Sequence, residues 1–214
     1  MWDLTATAKK CIDAGKHIHM DKPASGTLEE YKALLDGAKE KNLVVQLAYM
    51  YRYNPAVQKC FELIKEGKLG EIYSINAEMS TFHPQEYRKW LTNFGGGIMY
   101  ILGSHLIDLI VYILGEPQKV ISFLKHTNLD DIDFADNNLA VLEYDKALAR
   151  VFVSSGGCII LKFHIYFSVL ICGICNSCIR ISHCNWSFQG ADVNSTLASR
   201  YHKLSSAKPI YLNR

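Results

Sequence analysis

The stretch GKHIHMDKP, residues 15–23, decides the fold of this chain. Residues 17–20 are predicted to form a short strand, and the apolar residues over 4–14 have helical spacing. After the stretch, residues 27–30 (TLEE) have the capping-box pattern that begins a second helix. Residues 43–48 (LVVQLA) form the continuous apolar run that is typical of a buried parallel strand. The order helix, strand, helix, strand predicts part of a doubly wound parallel sheet.

A second domain of α+β type is predicted beyond residues 51–55, where this alternation stops. Residues 71–80 alternate between polar and apolar side chains, as an antiparallel strand with one covered face does. A loop is expected next, followed by a long apolar helix over 98–114. We therefore expect residues 1–52 and 53–155 to form two domains. Further strands of the second domain are predicted over 119–126, 137–144 and 148–155.

The character of the sequence changes after Ser155. Residues 156–214 hold five of the seven cysteines and have little amphipathic period, so we do not expect them to continue the sheet. A shifted reading frame or a retained intron would produce such a break, and this interpretation is favoured. A membrane span over 158–175 is an alternative, which the charged residues within it oppose. A metal site is another, but its candidate ligands have no standard spacing: Cys172, Cys175, Cys178, His183 and Cys184.

The composition excludes several classes of protein. The net charge is +2 and both signs are mixed along the chain, which indicates no nucleic-acid partner. The first residues lack the apolar core of a signal peptide, and an odd number of cysteines argues against a disulfide framework. We therefore expect a cytoplasmic protein with no membrane partner and no bound metal.

Lys22 is the first candidate catalytic residue. It follows a predicted strand and precedes Pro23, and proline favours an extended conformation in the residue before it. Its side chain is therefore expected at the carboxyl end of a strand, the edge at which open α/β sheets bind ligands. A lysine there can donate a hydrogen bond to a substrate oxygen or act as an acid or base. The alternative is a solvated lysine in a surface turn.

His105 and Asp108 are the second candidate pair. They lie three positions apart on the predicted apolar helix and so share a face. An imidazole and a carboxylate on one face could form a proton relay or part of a metal site. A core histidine bonded to a backbone carbonyl is the structural alternative. The glycines at 95–97, just before the helix, predict a close backbone approach.

Four segments resemble motifs of the Gfo/Idh/MocA oxidoreductase family. Residues 15–23 resemble its aGKHV…EKP motif, and residues 51–55 (YRYNP) resemble its yRynP motif at the domain junction. Residues 67–72 (GKLGEI) resemble GkLGei, and residues 95–108 resemble GGGxlxDxGxHxxD. The segments follow one another in the family's order over about residues 4–155, and this combination is specific.

The resemblance implies a Rossmann nucleotide-binding domain followed by an α/β domain with an open, mainly antiparallel sheet. It implies NAD or NADP as cofactor and hydride transfer at a hydroxyl or carbonyl carbon of a sugar, cyclitol or related polyol. It implies that Lys22 and His105 are catalytic, and such a pair can accept the hydroxyl proton. Intact relatives are expected to be homo-oligomers. The implied cofactor-binding residues are Asp21, Lys22, Pro23 and Arg52, and the implied substrate-binding residues are Lys22, His105, Asp108 and Trp90.

The sequence departs from the family pattern at three places. Asp21 replaces the glutamate of EKP, which shortens the side chain by one methylene. Ile101 replaces the aspartate four residues before the histidine, which some members use beside the lysine and histidine. No strand, GxGxxG loop and helix precede Leu4, so we expect an N-terminally truncated chain without the glycine-rich loop for the pyrophosphate.

Three functions follow from these patterns. The first is an NAD(P)-dependent oxidoreductase of the family, present here as an incomplete form. The second is a non-catalytic remnant that acts only through self-association. The third is a metal-binding or membrane-attached module formed by residues 156–214.

Overall fold

The structure is a computed structural model that describes residues 4–22, 24, 27–168 and 177–183. Its first half alternates helix and strand, as the sequence predicts. Helix α1 is Leu4–Asp13, strand β1 is Ile18–Met20, helix α2 is Leu28–Glu40 and strand β2 is Val45–Leu47. The two strands pair in parallel. A small core joins these elements through Ala8, Ile12, Met20, Leu34 and Ala38.

Local hydrogen bonds explain where α2 and the two strands begin. The predicted capping box is present, because Thr27 Oγ1 accepts from the amide of Glu30 at 3.2 Å and Glu30 Oε2 accepts from the amide of Thr27 at 2.7 Å. Both strands are shorter than predicted. At the start of β1 and β2, the amide of Val44 donates to His17 Nδ1 at 2.9 Å. A side-chain nitrogen therefore takes the place of the backbone carbonyl that would extend the pairing of the two strands.

A 3₁₀ turn over Met50–Tyr53 connects the first half of the chain to the second. Asn54 caps the next helix, because its Oδ1 accepts from the amide of Ala56 at 2.9 Å. Helix α5 packs on the sheet, where Leu106 and Ile110 are buried against it. The elements are α3 (Pro55–Lys65), β3 (Glu71–Phe82), α4 (Gln85–Leu91), a π-helical turn (Met99–Gly103), α5 (Ser104–Leu114), β4 (Lys119–His126), β5 (Ala135–Glu143), β6 (Leu148–Ser154), β7 (Gly156–Ser168) and β8 (Ser177–His183).

The second half is built on a six-stranded sheet with the order β4-β5-β6-β3-β7-β8. Strand β3 pairs in parallel with β6 and antiparallel with β7. The other neighbours in this sheet, as far as the structure describes it, are antiparallel. The expectation of a mainly antiparallel sheet therefore agrees with this architecture, and the β3–β6 pair is the exception.

Two local predictions between β3 and α5 are corrected. The segment after β3 is not all loop, because residues 85–91 form α4, in which Arg88 and Leu91 are buried. These residues (QEYRKWL) are mostly good helix formers, and Pro84 stands directly before them. The predicted helix over 98–114 is not regular, because it starts with the π-helical turn. A β-carbon at Gly103 would lie 2.3 Å from Met99 Sδ, so the turn wraps tightly on itself.

The close backbone approach predicted at the glycines is confirmed at Gly97. Its φ is +61°, and a β-carbon there would lie 2.4 Å from the carbonyl oxygen of Ala135 in β5. Only glycine fits this contact without a shift of the backbone. The glycine therefore lets the segment before α5 lie directly against the sheet.

The prediction that the chain does not continue the sheet beyond Ser155 is wrong. Residues 156–168 form β7, which pairs with β3, and residues 177–183 form β8, which pairs with β7. Residues 161–168 (LKFHIYFS) alternate between apolar and more polar side chains, so the sequence does contain the period of two of a strand. The prediction missed this signal because it rested only on the cysteines and the apolar character of the segment. The interpretation as frameshifted or intron-derived sequence remains a prediction for residues 156–214.

The alternatives for this segment were a membrane span and a metal site. Among the helices that the structure describes, none is long and apolar enough to cross a membrane. The described residues also contain no cluster of His, Cys, Asp and Glu side chains that could hold a metal ion. Cys172, Cys175 and Cys184 lie outside the described residues.

Candidate active site

Lys22 lies where the sequence predicts it, two residues beyond the end of β1. Its side chain is half-buried, and Nζ donates a hydrogen bond to the carbonyl oxygen of Ile101 at 2.7 Å. Burial lowers the pKa of Lys22, and the negative charge of Asp21 opposes this shift in part. The alternative of a freely solvated turn lysine does not fit these contacts.

His105 lies on the first turn of α5 and is 7% exposed. Its pKa is lowered to about 4, mainly by burial and then by the positive charge of Lys22, while the charge of Asp21 opposes both effects. The rings of Tyr49 and Tyr51 meet the imidazole edge-on, with centroids at 6.0 and 5.0 Å. Its buried Nδ1 has no hydrogen-bond partner among the described residues. The imidazole is therefore neutral near pH 7, and one of its ring nitrogens has no hydrogen-bond partner among the described residues.

The structure brings Lys22 and His105 together at the junction of the two halves. Lys22 Nζ donates to the carbonyl of Ile101, four residues before His105 in the same helical segment, and the charge of Lys22 acts on the pKa of the histidine. Lys22 comes from the end of a parallel strand and His105 from the helix on the second sheet. Asp21 is exposed at the same strand end, and its Oδ1 accepts from the amide of Lys22 at 2.8 Å. Pro23 lies outside the described residues.

Asp108 pairs with Arg52 rather than with His105. Arg52 Nε donates to Asp108 Oδ2 at 2.7 Å, and Nη2 donates to Oδ1 at 2.5 Å. The hydrogen bonds that Arg52 donates to this carboxylate are the main reason why the pKa of Arg52 is raised. The guanidinium also lies over the ring of Tyr112, 5.1 Å from its centroid. The idea of a proton relay from His105 to Asp108 is therefore replaced by a bidentate ion pair.

Trp90 lies on α4 within a row of aromatic rings. Its ring centroid is 5.3 Å from that of Tyr87 and 4.7 Å from that of Phe94, and His83 continues the row beyond Tyr87 at 4.7 Å. Burial raises the pKa of Tyr87, and the negative charge of Asp21 raises it further. Trp90 is 47% exposed, so a ligand can reach its ring.

Three elements of the site were missed in the sequence. The sequence predicts a loop where α4 lies, so the buried Arg88 is not among the predicted site residues. The hydroxyl of Tyr100 donates to the carbonyl of Ala24 at 2.6 Å. The presence of a tyrosine at position 100 does not by itself predict this contact. The Ile101 carbonyl that holds Lys22 belongs to the main chain and has no sequence signature.

Comparison with known proteins matches residues 57–166 to the GFO/IDH/MocA C-terminal domain. This chain belongs to the GFO/IDH/MocA family. The matched segment contains Trp90, His105 and Asp108, while Lys22 and Arg52 precede it. It also runs through β6 and most of β7, so the family domain continues past Ser155.

Two curated relatives and one solved structure illustrate the similarity of this GFO/IDH/MocA chain. The scyllo-inositol 2-dehydrogenase (NADP(+)) IolW of Bacillus subtilis is 30% identical over 149 residues, which cover 68% of this chain and 41% of IolW. The levoglucosan dehydrogenase of Pseudarthrobacter phenanthrenivorans is 36% identical over 114 residues, which cover 50% of this chain and 29% of that enzyme. The chain thus spans well under half the length of both relatives.

The solved structure is that of myo-inositol 2-dehydrogenase from Lactobacillus plantarum. It superposes with a TM-score of 0.74 at 18% identity, over 94% of this chain and 63% of that chain. At this identity the comparison shows a shared fold. The superposition covers both the parallel first half and the open sheet of the second half of this chain.

Proposed function

We propose that this chain is part of an NAD(P)-dependent oxidoreductase that transfers hydride at a hydroxyl or carbonyl carbon of a sugar, cyclitol or related polyol. The observation that carries the proposal is the proximity of half-buried Lys22 and buried His105 at the carboxyl end of a parallel strand. The similarity to a scyllo-inositol dehydrogenase and a levoglucosan dehydrogenase supports this substrate class.

The two side chains can handle the proton of such a reaction. Oxidation of an alcohol removes the hydroxyl proton together with a hydride. The imidazole of His105 is neutral near pH 7, so a ring nitrogen has a lone pair that can accept the proton, and its lowered pKa makes it a weak base that passes the proton on readily. The lowered pKa of Lys22 eases proton exchange between its amine and the reacting oxygen. We assign Lys22 to the substrate oxygen and His105 to the acceptance of the proton.

The same edge fits a nicotinamide cofactor. His105 Nδ1 is a buried polar atom without a partner among the described residues, beside the strand end where open α/β sheets bind ligands. When bound, NAD or NADP supplies the hydride donor or acceptor. We propose that Asp21, Lys22, Pro23 and Arg52 contact it. Arg52 binds Asp108 through Nε and Nη2 and keeps 40% of its side chain exposed for this role.

The aromatic row on α4 suits the substrate class. Tyr87 and Trp90 are 41% and 47% exposed, so a ligand can reach both rings. Aromatic faces pack well against the apolar C–H face of a ring, and their polar atoms can bond to its hydroxyls. We propose that Trp90 binds the polyol ring, while Asp108 acts on the substrate indirectly by fixing Arg52.

The test compares the 214-residue chain with a chimera that carries the N-terminal segment of IolW before Leu4. NADP and NAD are titrated into both, and reduction of the cofactor is followed with scyllo-inositol and levoglucosan. The proposal expects saturable binding and turnover by the chimera, with turnover lost in Lys22→Met. A chimera that folds and binds cofactor but shows equal turnover with Lys22→Met would contradict the assigned roles.

A second candidate function is self-association through the open sheet. Strand β4 is the edge of the sheet and is exposed along its length. It exposes a group of large apolar side chains, and exposed apolar edge strands favour pairing with another chain. Sedimentation of the chain and of a Phe123→Lys variant tests this candidate, because a dimer should become a monomer. The group consists of Val120, Ile121, Phe123 and Leu124.

A further inference from the structure

Two neighbouring residues of the π-helical turn are bonded to the loop that carries Lys22. The carbonyl of Ile101 accepts from Lys22 Nζ at 2.7 Å, and the hydroxyl of Tyr100 donates to the carbonyl of Ala24 at 2.6 Å. These bonds join residues 79 and 76 positions apart. They therefore cross from the helix on the second sheet to the first half of the chain.

The Ile101 carbonyl that accepts from Lys22 lies in the π-helical turn, where the regular α-helical register of hydrogen bonds is broken. Its oxygen accepts from Lys22 Nζ and, at 3.4 Å, from Ser104 Oγ. The Ile101 side chain packs against the hydrophobic core. Ile101 therefore contacts the Lys22 ammonium through its backbone carbonyl, while its side chain points to the core.

We propose that the Tyr100 hydroxyl and the Ile101 carbonyl form a clasp that positions the Lys22 ammonium for proton transfer. The proposal rests on the proposed function, which makes Lys22 the group that meets the substrate oxygen. One bond of the clasp fixes the backbone just after the lysine, and the other fixes the end of its side chain. With both ends held, the lysine loses little further rotational freedom when it meets a ligand.

The chemistry of the acceptor sets how readily the lysine gives up its proton. A carbonyl is neutral, so it stabilises the ammonium less than a carboxylate would. Burial therefore keeps the pKa of Lys22 lowered, with Asp21 as the opposing charge. Two further titratable groups lie close by, His105, which is neutral near pH 7, and the hydroxyl of Tyr100, whose pKa is raised by burial. A clasp of this kind suits a lysine that has to exchange a proton.

The test measures the pKa of Lys22 by NMR in the full chain labelled with ¹³Cε-lysine, and Lys22→Arg assigns its signal. Tyr100→Phe removes one bond of the clasp. Tyr53→Phe is the matched control, because its hydroxyl accepts from Gln46 Nε2 at 2.6 Å and lies outside the clasp. A third variant replaces Leu102 by its α-hydroxy acid, which turns the Ile101 carbonyl into a weaker ester acceptor.

The clasp predicts opposite shifts in two of these variants. Tyr100→Phe releases the loop to water, so the pKa of Lys22 should rise towards 10.5, whereas Tyr53→Phe should leave it unchanged. The ester at 102 weakens the acceptor of the ammonium, so the pKa should fall below that of the original chain. Equal pKa values in Tyr100→Phe and Tyr53→Phe, or no fall with the ester, would overturn the clasp. These titrations need neither cofactor nor polyol, so they remain decisive if the chain fails to turn over.

Discussion

Arg52 and Asp108 form a bidentate ion pair that ties the turn after β2 to helix α5. Its two hydrogen bonds, at 2.7 and 2.5 Å, span 56 residues. The carboxylate is 7% exposed, while the arginine side chain is 40% exposed. The pair therefore fixes the position of the helix that carries His105 relative to the first half of the chain.

Asp108→Ala should destabilise the fold measurably. The variant loses two charge-assisted hydrogen bonds, but the half-exposed guanidinium regains water. We therefore expect a loss of about 1–3 kcal/mol, below the cost of stranding a fully buried charge. Urea unfolding gives the free energy. Glu62→Ala, which removes the exposed partner of Lys59, is the control and should leave the midpoint unchanged.

Stability should fall in acid because of His105. Its pKa is about 4 in the folded chain and 6.5 ordinarily, so the unfolded chain binds the proton more readily. The stabilisation by the neutral imidazole is therefore complete above pH 6.5 and is lost as the pH falls towards about 4. His105→Gln lacks this titration, so its stability relative to the original chain should improve between pH 7 and pH 4.5.

The measurement is urea unfolding at several pH values, with exposed His19→Gln as the matched control. His83, whose pKa is also lowered to about 4 by burial and by Arg88, adds to the acid sensitivity of both variants equally. A constant difference between His105→Gln and the original chain from pH 7 to pH 4.5 would show that His105 is not held neutral.

The elements of the first half could be predicted because their signals are local. The capping box at Thr27 and Glu30 and the apolar run over 43–48 lie within a few residues of the structure that they specify. Strand β7 was missed although residues 161–168 (LKFHIYFS) alternate with a period of two, because the apolar residues before them hide where the alternation begins. Helix α4 was not predicted because its seven residues are too few to show a helical period clearly.

The candidate site could be predicted only as a set of residue types. Pro23 marked Lys22 as a residue held at a strand end, and the spacing of His105 and Asp108 put them on one helix. The sequence could not predict the hydrogen-bond partners of these side chains. Lys22 binds a main-chain carbonyl, and Asp108 binds an arginine that is distant in the chain. Such pairings depend on how the two halves meet, which no local pattern encodes.

Gly97→Ala should be far more damaging than Gly95→Ala. The φ of Gly97 is +61° and an added β-carbon would lie 2.4 Å from the Ala135 carbonyl oxygen, whereas nothing lies within 4 Å of a β-carbon at Gly95. We expect Gly97→Ala to cost roughly 2–4 kcal/mol through strain and overpacking. Gly95→Ala should be neutral or slightly stabilising. Thermal unfolding of the two variants compares them, and equal midpoints would disprove the contact with β5.

Arg88→Met should destabilise the chain more than any change at an exposed arginine. Arg88 is 1% exposed, forms an ion pair with Asp130 and donates to the carbonyl of Leu129 at 2.9 Å. Its guanidinium also lies 3.8 Å from the carboxylate of Asp136, which is 2% exposed. Methionine fills much of the same space but leaves this second carboxylate buried without its cation.

The expected loss for Arg88→Met is about 3–5 kcal/mol, the cost of stranding a buried charge. Since Arg88 also anchors α4, the fluorescence of Trp90 should shift towards that of a solvated indole before global unfolding. Arg150→Met is the matched control, because Arg150 is exposed on β6 and contacts the ring of Phe152. If the two variants unfold at the same urea concentration, Asp136 does not depend on Arg88, and α4 must be held by its buried Leu91 instead.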